Sequence, residues 1–206
     1  MSLSAAEVRK IKQAPAVEGV LPAILHRWSP RSYADKAVPS ETLAKIFEAA
    51  RWSASSSNEQ PWRFLVGLKG DATYEKIFST LVPFNQAWAG KAPVLILGVA
   101  STKSSRDGAD NPYALYDLGA AVSLLTIQAT ELGVSAHSMG GFDHAAALAA
   151  FEIPAGYVAG AVTSLGYQGE PADLGHEKMI AMEEAPRERK PLSEIVLSAW
   201  GVPAKL

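Results

Sequence analysis

Residues 94–100 read VLILGVA, and residues 113–133 read YALYDLGAAVSLLTIQATELG. The first stretch is continuously apolar and rich in β-branched residues, the signature of a strand covered on both faces. The second is a long helix apolar nearly all round: Leu118, Ala121, Val122, Leu125, Ala129 and Leu132. Such a helix is buried in a core or in a subunit interface. Gly133 ends it, because glycine takes the left-handed cap conformation without strain. A buried strand beside a buried helix points to helices packed around a small central sheet, an α+β sandwich.

Outward from this centre, Ala5–Gln13 and Val17–Arg27 read as helices, the second stopped by Pro30. Ser40 is read as the N-cap of a helix whose Leu43, Ile46, Phe47 and Ala50 share one face. Trp62–Lys69 is a strand, Ala72–Leu81 a helix, and Ser135–His137 a short strand. Asp143 caps a helix through Ala150, and Tyr157–Tyr167 is the last strong strand. Gly169–Pro186 reads as loop, followed by a short terminal segment at Pro191–Leu197. The expectation is one domain over residues 1–206, with an N-terminal helical arm at 1–15 and a C-terminal extension at 187–206.

Composition narrows the chemistry. Nineteen Lys and Arg oppose twenty-one Asp and Glu, a formal charge of −2, which argues against a nucleic-acid-coating surface. Cysteine is absent, which removes disulfides, thiolate metal sites and a cysteine nucleophile. The four histidines, His26, His137, His144 and His176, have no ligand spacing, so no metal is expected. No phosphate-binding glycine motif of the dinucleotide or Walker type occurs. The longest apolar run, Ala92–Ala100, is too short to span a bilayer, and the polar N-terminus is unlike a signal peptide. The expected location is cytoplasmic.

Three clusters carry candidate chemistry. In His26-Arg27-Trp28-Ser29-Pro30-Arg31-Ser32-Tyr33, two guanidiniums flank a turn forced by Pro30, so both can converge on an anion. In Ser53-Ala54-Ser55-Ser56-Ser57-Asn58-Glu59-Gln60-Pro61-Trp62, small hydroxyls admit a ligand and side-chain amides match a heterocycle edge. Arg187-Glu188-Arg189-Lys190 gathers three cations. Taken alone, each also describes a solvated helix end, a polar loop or a basic turn.

Together, and in this order, the clusters resemble the nitroreductase family of flavin enzymes. The match includes Arg27-Trp28-Ser29-Pro30-Arg31-Ser32-Tyr33, the loop Ala54–Trp62, Phe84-Asn85 and Glu131-Leu132-Gly133. It continues through Ser138-Met139-Gly140-Gly141-Phe142, Leu165-Gly166-Tyr167 and Arg187–Leu192, and so runs from about Ile24 to Val196. The resemblance implies a three-layer sandwich with a mainly antiparallel sheet, assembled as an intertwined homodimer with two FMN sites at the interface. Arg27 and Arg31 then match positions gripping the FMN phosphate and ring edge, with Trp28 and Ser29 between them. Arg187 and Arg189 match C-terminal cations at the phosphate. Ala54, Ser55, Ser56 and Asn58 match a loop reaching FMN from the partner subunit. Asn85 matches a residue near the pyrimidine side. Ser138, Met139, Gly140 and Gly141 match the stretch over the flavin, with the Gly140 backbone amide near N5 as the one catalytic group.

The implied activity is hydride transfer from NADH or NADPH through flavin N5 to nitroaromatic or quinone-type acceptors, in ping-pong order. A dehalogenase or flavin-consuming relative of the same fold is an alternative, as is a flavin-binding module without turnover. The chain departs from the family where Gln86-Ala87-Trp88 replaces a common lysine, where Gly140 replaces a common acidic residue, and at Trp28.

Overall fold

The computed structural model describes residues 2–206. Met1, the first residue of the expected N-terminal arm, lies outside the described residues. The helices are α1 (Ala5–Lys12), α2 (Pro22–His26), α3 (Ser40–Arg51), α4 (Ala72–Ser79), α5 (Pro83–Ala89), α6 (Ala114–Glu131), α7 (His144–Ala150), α8 (Glu177–Glu184) and α9 (Leu192–Ile195). The strands are β1 (Trp62–Leu68), β2 (Val94–Ser101), β3 (Ser135–Met139), β4 (Tyr157–Gly166), β5 (Leu197–Ala199) and β6 (Val202–Pro203).

The main sheet has the order β1-β2-β4-β3, every pair antiparallel. Alternation along β2 explains its unbroken apolar run. Val94, Ile96 and Ala100 pack with Leu43 and Ile46 of α3 and with Leu118, Ala121 and Leu125 of α6. Leu95, Leu97 and Val99 pack on the other face with Tyr74 and Ile77 of α4, Trp88 of α5 and Met179 of α8. The result is the expected three-layer α+β sandwich.

Two close approaches seat α6 on the sheet. Leu118 lies over Gly98 of β2 and Gly160 of β4, where a Cβ at Gly160 would fall 2.6 Å from Leu118 Cδ2. The helix ends as expected, with Gly133 at φ +71°.

Four expectations change. Ser40 is the first residue of α3 and not its N-cap; Pro39 takes that place, and no side chain caps the helix. The second helix is only α2: Gly19 turns at φ +79°, and Pro22 then occupies the first turn, where its missing N–H is harmless. Residues 169–186 are not loop throughout, since they contain a 3-10 turn at Pro171–Leu174 and α8. Helix α5 was not expected, and Pro83 again opens it. Beyond α8, α9 and the β5-β6 hairpin leave Leu192, Ile195, Trp200, Val202 and Leu206 exposed.

Candidate functional site

Strand β3 is an edge of the sheet, and its side chains alternate between the two faces. Ala136 and Ser138 face α6, whereas His137 and Met139 face the opposite layer. Helix α2 and the turn after it cross this edge. Between them lies a cleft of roughly 510 Å³ lined by Arg27, Ser29, Val122, Ser123, Thr126 and Ser138, among others. Its lining combines apolar Ile24, Val122, Ile127 and Ala136 with one cation and several hydroxyls.

Arg27 is the cation of this cleft, and its Nη1 lies 3.4 Å from Ser29 Oγ. Arg187 reaches the same place from the C-terminal side. It donates to Arg27 O, and to Leu25 O at 2.5 Å. Burial lowers the pKa of Arg27, and nearby Arg189 lowers it further. Arg187 is lowered first by burial and then by Arg189 and Arg27. Three guanidiniums thus crowd together, and the buried Nε of Arg187 has no partner. Such an arrangement is complementary to a multiply charged anion.

Arg31 does not line this cleft, although His137 feels its charge together with that of Arg27. The Arg31 backbone is held by Glu183, and its guanidinium packs over Trp88 at 5.8 Å, with a buried, unpartnered Nε. Trp88 occupies the region where the family's lysine was missed. Beside it, His137 lies 4.5 Å from the Trp88 ring and bonds Pro30 O through Nδ1 at 3.0 Å. A carbonyl only accepts, so Nδ1 carries the proton. Burial depresses the His137 pKa to about 4, and the bond to Pro30 opposes this only in part.

Asn85 is buried in α5, and its Nδ2 donates to Gly141 O at 2.9 Å. A Cβ on Gly141 would fall 2.7 Å from that nitrogen, so a larger residue would have to displace the Asn85 amide. Gly140 is exposed, and a Cβ there would meet nothing within 4 Å. Ser138 Oγ pairs with Thr163 Oγ1 at 2.8 Å. The Met139 side chain is buried in the core, which leaves its backbone alone for a ligand. The Trp28 ring is also outside the Arg27 cleft. It lies under Lys12 Nζ at 4.9 Å and lines a neighbouring hollow with Arg9, Lys10 and His26.

The 54–60 loop stands elsewhere. Ser56 N donates to Asp117 Oδ2 at the start of α6, and Gln60 N donates to Ser55 Oγ. Ser57, Asn58 and Gln60 all have positive φ, a strained path. Glu59 accepts from Ser104 Oγ, Ser105 N and Arg106 Nε, and these bonds hold its carboxyl at about 2. Asp117 and cleft residue Thr126 are nine residues apart on α6, about 14 Å along the axis. Val122, the first cleft residue on α6, is only five residues from Asp117, about 8 Å along the axis, yet Ala54, Ser55, Ser56 and Asn58 line no part of the cleft of their own chain.

Sequence reasoning missed Glu183, Lys12, His137 and Asp117. The apolar-face spacing of Ala5, Val8 and Lys12, and of Met179 and Glu183, was the available signal, although charged residues at buried positions break the usual pattern. Among the described residues no group of three or more His, Asp or Glu is placed to hold a metal, and no helix is long and apolar enough to cross a membrane.

Known proteins share this architecture. A solved oxidoreductase described as containing FMN superposes with a TM-score of 0.82 at 32% identity, covering 91% of this chain and 94% of its own. A Desulfovibrio desulfuricans protein solved in complex with FMN gives 0.72 at 27% identity, covering 89% and 98%. An uncharacterised 15.4-kDa protein of Mycolicibacterium smegmatis is 36% identical over 68% of this chain and 99% of its own length. An Archaeoglobus fulgidus protein, named for NADH dehydrogenase or NAD(P)H nitroreductase activity, is 29% identical over 77% and 90%. The family model described as Nitroreductase family matches residues 24–167, and the chain belongs to that family.

Proposed function

We propose that this protein is an FMN-dependent NAD(P)H oxidoreductase that reduces nitroaromatic or quinone-type acceptors in ping-pong order. The observation that carries the reading is the crowding of Arg27, Arg187 and Arg189 at the sheet edge, where buried guanidinium charge has no carboxylate partner. A flavin phosphate is a dianion and fits that donor set. Arg31, with its free Nε, is assigned to the ring edge, and Asn85 supports that edge by fixing Gly141. Bound FMN supplies the two-electron chemistry. The chain contributes charge, a close backbone at Gly140–Gly141 and an apolar wall from Val122.

The reading includes a homodimer. Ala54, Ser55, Ser56 and Asn58 line no part of the cleft, and Ser56 is tied to Asp117 of its own α6, so the reading takes a second copy as the source of this loop at the flavin. The similarity to two FMN-containing structures supports the cofactor. NAD(P)H is a cytoplasmic reductant, and the reading places the protein there.

The purified protein is expected to be yellow and to release FMN on denaturation. Anaerobic mixing with NADH or NADPH should bleach it, and a quinone should restore the colour. Arg27→Ala with Arg187→Ala should weaken FMN at least a hundredfold while leaving riboflavin affinity nearly unchanged. Protein that stays colourless with added FMN, or bound flavin that neither nicotinamide bleaches, overturns the reading.

A further inference from the structure

Beyond the Arg27 N–H bond back to Ala23 O, the Arg27–Ser32 turn is held by residues far away in sequence. Glu183 of α8 is wholly buried, and both its oxygens accept the Arg31 N–H at 3.0 Å. One of them also accepts the Ser32 N–H at 3.1 Å. Two successive backbone N–H groups form a small anion-binding concavity, here filled by the protein's own carboxylate. Ser32 Oγ donates to Glu170 O at 2.6 Å, and Pro30 O takes the His137 bond.

A carboxylate at this depth is unfavourable, and burial raises its pKa against the bonds from Ser32 and Arg31 and the charges of Arg31 and Lys12. An apolar side chain would fill the same volume at lower cost, but it would leave two backbone donors free and the turn unfixed. Lys12 completes the arrangement. It is also buried, and its Nζ donates to Met182 O and Ala185 O, the carbonyl end of the helix that carries Glu183. The same ammonium lies over the Trp28 ring inside the turn.

We propose that Glu183 and Lys12 are positioning residues, which lock the Arg27–Ser32 turn in the shape that presents Arg27 and Arg31 to the flavin. The inference rests on the flavin reading above. It makes α1 and α8, which line no part of the cleft, parts of the cofactor site.

The test uses flavin-stripped full-length protein titrated with FMN. Glu183→Gln keeps the shape but turns one acceptor into a donor facing an N–H. It should weaken FMN ten- to a hundredfold, the usual penalty for lost outer support. Glu177→Gln, on the same helix and exposed, should stay within twofold. A second readout separates positioning from simple destabilisation. Displacing Arg31 from the ring edge should change the ratio of oxidised to reduced flavin affinity at least threefold, read as a shift in midpoint potential. Where Glu183→Gln does not fold, Lys12→Met carries the test with the same two readouts. Affinity within twofold of wild type, or an unchanged potential, overturns the proposal. Wild-type protein that binds no FMN overturns the functional reading, and this proposal with it.

Discussion

His137 shows how one residue couples the site to pH. The ordinary imidazole pKa of 6.5 falls to about 4 in the folded chain, chiefly through burial. Between these values the unfolded state binds the proton and the folded state does not. Stability therefore rises with pH across this window and is lost as pH falls from 6.5 toward 4. The ceiling on this loss is about 3 kcal/mol, since each tenfold difference in proton affinity between the two states is worth about 1.4 kcal/mol. Urea melts of the wild type at pH 4.5 and 7 should show the slope, and His137→Gln should flatten it. Equal slopes in the two proteins would locate the acid sensitivity elsewhere. The loop residues Ser57 and Gln60 make a second case. Their positive φ values strain side chains that glycine would not have. Gln60→Gly should raise stability by up to about 1 kcal/mol in the same melts; unchanged or lower stability would show that the added entropy of the unfolded chain outweighs the relieved strain.

At the scale of elements, the seat of α6 on the sheet is sharply testable. Gly160→Val would drive a side chain into Leu118, an overpacking that should cost about 1–3 kcal/mol. Leu118→Ala alone should cost about 2–5 kcal/mol by opening a cavity. The double variant should lose clearly less than the sum, because one change makes room for the other. Strict additivity in thermal melts would mean the contact is not as close as described. This packing was legible in part. The run at 94–100 and the all-round apolar helix announced a doubly covered strand and a buried helix, since burial of apolar area leaves a periodic trace. Helices α5 and α8 left little trace, because each is short and α8 buries Glu183, a residue that pattern reading assigns to solvent. The arginines could be named from the sequence, but not their separation. Arg31 packs over Trp88 and does not line the Arg27 cleft, in a turn whose backbone is held by Glu183, 152 positions later, and nothing local encodes that contact.

At the scale of the whole molecule, the apolar residues left outside point to a second chain. Tyr113, Leu115 and Tyr116 stand exposed at the start of α6, beside the anchored 54–60 loop, and Tyr116 is 77% accessible. Trp200 and Leu206 of the C-terminal extension are 98% and 90% accessible. Large side chains grouped in this way mark surfaces that another chain covers. In the proposed homodimer, the start of α6 is expected to form one face and residues 192–206 an arm over the second copy. Leu115→Glu with Tyr116→Glu places two charges in that face and should turn a dimer into a monomer by sedimentation. If the proposed dimer completes the site, the same variant should lose FMN affinity at least tenfold, because the partner's 54–58 loop would leave with it while Arg27 and Arg187 are untouched. A monomeric variant that binds FMN as wild type does would show that one chain completes its own site. A wild type that sediments as a monomer at micromolar concentration would remove the dimer itself.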